Sequence, residues 1–215
     1  MLNYNQVIES IFISLHVSLF STLLAFITSI ILGYWIAINS FQLKKIIVSV
    51  LGSLTSIPPV CAGLLVYLLI SRSGPLGWME ILYTPTAMII AQFVIILPIM
   101  MTLIIQYVEV EYPPFREELM SYGATKLDLI KLLLKNKSGV YLTILLIGFG
   151  RAISEYGAAA IVGGSIDHVT RNMTAMIALE TAKGNILTGV ILGLILISIS
   201  LIISFMINFL KAKNK

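Results

Sequence analysis

Charged residues are scarce here: Asp, Glu, Lys and Arg make up 11% of the 215 residues, against about 25% in ordinary globular chains. With 58% hydrophobic residues, too little polar surface remains to cover a soluble fold, which excludes a water-soluble core of this size. Cysteine occurs once, as Cys61. A lone thiol excludes an intrachain disulfide and a cysteine metal cluster, and reads as a small packing residue. Of the two histidines, His16 reads as a polar helix contact and His168 as a solvated loop position. No HExxH helix, no GxSxG elbow and no pair of carboxylates within an apolar run offers hydrolytic chemistry, so an intramembrane enzyme is excluded. No GxxxxGK[ST] phosphate loop is present either, so the chain cannot hydrolyse ATP by that route.

What is there is long uncharged runs. No Asp, Glu, Lys or Arg occurs in residues 10–43, 46–71, 81–108 or 184–210, and residues 138–166 hold only Arg151 and Glu155. Each run exceeds the ~18 apolar residues that argue for a membrane-spanning helix. Five spans are predicted, at residues 11–38, 46–70, 86–108, 140–161 and 186–210. The first is too long for a signal-peptide core and lacks a basic region before it. The whole chain, 1–215, reads as one membrane domain, with no linker and no internal repeat of the inverted-carrier kind.

The cations sort by side. With the N-terminus outside, Lys44, Lys45, Arg116, Lys126, Lys131, Lys135, Lys137, Lys211, Lys213 and Lys215 fall inside, and only Arg72, Arg171 and Lys183 outside. That bias places the C-terminus in the cytoplasm and accounts for the net charge of +4 without nucleic acid.

Four local features stand out. Pro58-Pro59 in span two and Pro98 in span three predict kinks, because each proline removes a backbone donor whose carbonyl partner then needs protein or water. Gln92 and Gln106 are expected to face neighbouring helices. In the outer connection 163–185, Gly163-Gly164 start a turn and residues 173–183 form a short amphipathic helix that would plug a pore mouth or meet an external partner. Arg151 and Glu155, four apart with Ser154 on the same turn, can pair along span four. Charges at this depth face protein or water, and two roles stand side by side: a gate on a translocation route, or an ion pair that fixes packing.

The connection 113–137 is the most informative segment. Leu119, Tyr122, Leu127, Ile130 and Leu134 recur at near-helical intervals, and Gly123 permits a turn or a close approach. By composition this is either a pair of short helices turning at, or closely approached at, that glycine, or a basic helix lying on the inner leaflet. Glu117 followed by Gly123-Ala124 resembles the cytoplasmic EAA loop of bacterial ABC importer permeases. It departs from that pattern at Glu118-Leu119, where alanines are usual, and at Lys135-Asn136, where many members end in Leu-Pro. The blocks SIPPVCAGLLVYLLISRSGPLG (56–77), YTPTAMIIAQ (83–92), RAISEYGAAAIVGG (151–164) and MTAMIALETAKGN (173–185) resemble tungstate permeases, with molybdate and sulfate permeases as looser relatives.

The resemblance implies an all-α permease fold of the type I importer kind in a bacterial or archaeal plasma membrane. It implies a homodimer, two ATP-binding subunits that hold the ATP and Mg, and an external binding protein. Glu117, Glu118, Ser121, Gly123, Ala124 and Asp128 would then couple to the ATPase. Pro58, Pro59, Arg151, Ser154, Glu155, Gly163 and Gly164 would line the path or its gate. A self-sufficient channel or carrier is the alternative of another class, and it leaves the acid-glycine segment without a task.

Overall fold

The structure is a computed structural model in which residues 4–120 and 125–213 are described. Among them every regular element is a helix: α1 (Tyr4–Ile38), α2 (Lys44–Leu54), α3 (Pro59–Ile70), α4 (Pro85–Met120), α5 (Lys126–Asn136), α6 (Ser138–Ile153), α7 (Gly157–Gly163), α8 (Met173–Ala182) and α9 (Ile186–Lys213), with one 3-10 turn at Gly77–Met79.

α1, α4 and α9 are each long and apolar enough to cross a membrane unbroken. α1 buries a file of small residues, Ser10, Ser14, Ser18, Ser21, Ala25, Ser29, Gly33 and Ala37. Three- and four-residue spacing puts them on one face, and small side chains let two backbones approach where hydrophobicity cannot drive association in lipid. That face packs along α4, where Ile104 seats at Gly33. The opposite face presents Phe12, Leu19, Ile27 and Trp35 outward.

Spans two and four are not single helices. Span two breaks after Leu54 and restarts at Pro59, with α2 and α3 bent by 106°. Pro58 supplies the extended N-cap residue and Pro59 the first helical position, where a missing N–H costs nothing. The expected kink is therefore a full break. Span four, expected to run unbroken over 140–161, divides into α6 and α7 at residues 154–156 with no proline involved. Span three departs the other way. α4 passes through Pro98 and also through Pro113 and Pro114, ending a dozen residues beyond its expected limit. The carbonyls freed by the last two prolines belong to Glu109 and Val110, both exposed.

The two ends of the bundle differ in charge. At one end the start of α1 meets the 164–172 loop through Gln6–Asp167 (2.9 Å) and Glu9–His168 (2.6 Å). Here too Tyr83 N–H donates to the Val162 carbonyl at 2.9 Å, and the Tyr83 ring lies against Gly164. At the other end Lys44 pairs with Glu109 (2.9 Å) and Lys137 with Glu111 (3.6 Å). α8 does form where expected, and it packs on α1 and α9.

Three smaller expectations change. Gln106 is exposed rather than turned inward. Cys61 is exposed on α3. His16 stacks on Phe12 and meets Phe20 at a tilt on the outer face of α1 instead of bonding to another helix.

Candidate functional site

The break in span four is where the buried polar groups gather. Ending a helix inside a membrane leaves carbonyls and N–H groups without water, so each needs a protein partner. Ser154 Oγ lies 2.9 Å from the Gly150 carbonyl and 3.2 Å from that of Arg151. Gln92 Nε2 donates to the Ala152 carbonyl at 3.1 Å and is itself held by Ser21 Oγ at 2.9 Å. Thr174 Oγ1 donates to the Glu155 carbonyl at 3.0 Å. On the far side of the break, Glu155 Oε1 accepts from Ala158 N–H at 3.2 Å and so caps α7. Gln92 thus makes the helix contact its sequence position suggests, linking α4 to α1 and α6, while α8 reaches the break through Thr174.

Arg151 and Glu155 pair as their spacing predicts, Nη1 to Oε2 at 2.7 Å, with the arginine side chain 34% exposed and the glutamate 4%. The carboxylate is committed twice, to the guanidinium and to a helix start. The guanidinium keeps an open side.

That open side faces a cavity of about 280 Å³ whose walls include Leu54, Thr55, Ile57, Pro98 and Arg151. The span-two break, the internal proline of α4 and the end of α6 therefore meet at one level around one space. Among the described residues Arg151 is the only charged one in its lining. α3 begins at the same wall, with no side chain capping its first turn, so the positive end of its dipole adds to the arginine's charge. The start of α3 is held beside the break by packing: Val60 fills the space over Gly157, and Gly63 lies against Ala158. Of the expected path residues, Arg151 lines the cavity, Ser154 and Glu155 lie at the span-four break beside it, and Pro58 and Pro59 start α3, which packs on α7. Gly163 and Gly164 end α7 at its far side, Gly164 in the left-handed region at φ 67°.

At the lysine-rich end, α5 rests on α4 and α6. Leu129 and Leu133 are fully buried, with Ile130 and Leu134 packed beside them. The stripe expected from Ile130 and Leu134 thus extends to two neighbours that sequence spacing did not pick out. Thr125 and Asp128 form a reciprocal capping box: Asp128 N–H donates to Thr125 Oγ1 (3.3 Å) and Thr125 N–H to Asp128 Oδ2 (3.1 Å). Glu117 and Glu118 fall in the last turn of α4. Ser121, Gly123 and Ala124 lie outside the described residues.

The Thr125 hydroxyl and N–H hold the Asp128 carboxyl below its ordinary range. A lowered carboxyl pKa means the cap is complete above the usual value of ~4 and fades only as pH falls through the lower native value. Protection of the first-turn amides of α5, relative to unstructured peptide at the same pH, should therefore hold down to about pH 4 and fall below it. Thr125→Val should lower that protection at every pH, by the loss of about 1 kcal/mol of capping; equal protection in both proteins would mean that Thr125 does not cap α5.

Residues 29–215 match the family model for the binding-protein-dependent transport system inner membrane component. The chain belongs to this family of membrane permeases. It is a transport subunit of the inner membrane and not a catalytic one. The permease is 39% identical over 188 residues to the tungstate uptake system permease protein TupB of Peptoclostridium acidaminophilum, covering 87% of this chain and 82% of that one. It is 35% identical to a probable anion ABC transporter permease of Haloferax volcanii, covering 89% and 85%. A sulfate transport permease, CysW of Synechocystis, is 30% identical, covering 74% and 60%.

Several residues of the permease's polar break escape a sequence reading. Ser21 and Thr174 sit in apolar stretches and look like ordinary small packing residues. The signal that was available is the cluster Gly150, Ser154, Gly157: poor helix formers within eight residues of an otherwise strong helix.

Proposed function

We propose that this chain is the membrane-spanning subunit of an ATP-driven importer of tungstate or a closely similar tetrahedral oxyanion. The observation that carries the reading is the Arg151 cavity. A fixed guanidinium and an uncapped helix start meet where two spans are broken, in surroundings otherwise without charge. Such a place attracts a dianion. Because Glu155 already occupies one side of the guanidinium, the attraction is shallow, which suits a waypoint that must also release its cargo. The choice of anion follows the tungstate-uptake relatives at 39% and 34% identity.

In this reading the lysine-rich end faces the cytoplasm, as the distribution of cations favours. α5 and the end of α4, with Glu117, Glu118, Ser121, Gly123, Ala124 and Asp128, form the surface on which an ATP-binding subunit docks. Two copies of the chain, ten spans together, assemble with two such subunits, which hold ATP and Mg. An external binding protein captures the anion and delivers it to the opposite end. Pro58, Pro59, Arg151, Ser154 and Glu155 line the path, and Gly163-Gly164 shape its outer end.

Competition tests the cargo. Tungstate uptake by the assembled transporter should be suppressed by excess unlabelled tungstate and little affected by sulfate. Suppression by sulfate as strong as by tungstate would overturn the choice of anion.

A further inference from the structure

The lysine-rich end contains a buried polar group that neither the cavity nor the docking surface uses. Tyr34 on α1 and Tyr141 on α6, each at most 5% exposed, join their hydroxyls in a hydrogen bond. Their rings stack with centroids 6.4 Å apart, and Tyr107 of α4 meets Tyr141 edge-on at 5.7 Å. The Tyr107 hydroxyl is also buried but has no hydrogen-bond partner among the described residues. Packing alone would be served as well by phenylalanine, and burying hydroxyls in lipid is costly unless they bond.

The pair belongs to the buried cluster on which α5 packs. Leu129 and Leu133 of α5 lie in the same buried cluster as Tyr34, Tyr112 and Tyr141. α5 rests on α4 and α6. Among the described residues, Tyr34–Tyr141 is the one side-chain hydrogen bond between α6 and α1. Above it α6 runs unbroken to Arg151 and the cavity, and α1 runs to the Gln92 network through Ser21.

We propose that the Tyr34–Tyr141 bond is a coupling strut: it makes α1 and α6 move as one body when α5 is displaced, so that the displacement reaches the break in span four. Both tyrosines are positioning residues for transport. The inference rests on the reading of α5 as the docking element. Without the bond α6 can tilt alone, α1 lags behind, and ATP is hydrolysed without the path changing state.

The test uses the complete transporter in proteoliposomes, with tungstate uptake and ATP hydrolysis measured on the same samples. Tyr34→Phe and Tyr141→Phe should assemble and hydrolyse ATP, with uptake per ATP falling about fivefold or more, the lower range of coupling between sites. The double variant should be no worse than either single one, because one bond is lost in all three. Tyr107→Phe, which removes a hydroxyl with no such partner among the described residues, should leave the ratio unchanged. Unchanged ratios in Tyr34→Phe and Tyr141→Phe overturn the strut, as does an equal fall in Tyr107→Phe. Failure of the two variants to assemble assigns the bond to folding and overturns it too. If the unaltered chain assembles with no ATP-binding subunit, the docking reading of α5 falls first and the strut falls with it.

Discussion

Arg151→Ala is expected to lower stability by about 3 kcal/mol, and Glu155→Gln by only about 1, although the two residues form one ion pair. The asymmetry comes from burial. Removing the arginine strands a carboxylate that is 4% exposed, and breaking a buried pair in this way costs about 3–5 kcal/mol. The guanidinium is 34% exposed, so water already screens the pair and the lower end of that range applies. Glutamine in place of Glu155 keeps an acceptor for Ala158 N–H and leaves an arginine that water can reach. Thermal unfolding in detergent should rank Arg151→Ala below Glu155→Gln and both below the parent. The reverse order would mean that the guanidinium, not the carboxylate, is the group the fold shelters.

The second large effect is steric. A Cβ at Gly63 would lie 2.5 Å from the Ala158 Cα and 2.9 Å from its Cβ, and backbone cannot yield as a side-chain tip can. Gly63→Ala should cost about 1–3 kcal/mol. Gly63→Leu should push α3 off α7 altogether and lose the folded protein. The contrast is Gly193, also in a membrane helix, where an added Cβ meets nothing within 4 Å. There alanine should be neutral or favourable by up to about 1 kcal/mol, since glycine is the poorer helix former. If Gly63→Leu melts within a degree or two of the parent, the close packing of the two half-helices is wrong.

These two sites also mark what the sequence discloses and what it hides. The spans are legible because lipid imposes them: a run with no charge over 23 or more residues has few other uses. The span-two break is legible from Pro58-Pro59, though the 106° turn is not, since a proline pair says that a helix stops and not where the next one points. The span-four break has no such local mark. Tertiary partners make it, Gln92 and Ser21 on one side and Thr174 on the other, and these stand 19 to 131 residues away from Ala152 and Glu155 along the chain. Span three runs past its expected end through Pro113-Pro114, where the freed carbonyls of Glu109 and Val110 belong to exposed residues. The Arg151–Glu155 pair was readable from spacing. Its cavity was not, because the walls come from α2, α3, α4 and α6.

Gating and packing are two roles open to that pair, and the proposed function gives each residue its own share. Glu155 holds the break together through its bond to Ala158 N–H. Arg151, with one side open to the cavity, is the residue free to meet an anion. In the proposed function the pair would serve packing through its acid and the path through its base.

The central claim, that this permease links anion passage to a partner's ATP hydrolysis, is tested most directly by hydrolysis in the reconstituted complex. Its binding protein is offered empty, then loaded with tungstate. The account predicts a rate that rises with the tungstate-loaded protein and stays at the basal level with the empty one. A complex that hydrolyses ATP at one rate under both conditions, or a chain that moves tungstate with no ATP-binding subunit present, would contradict it.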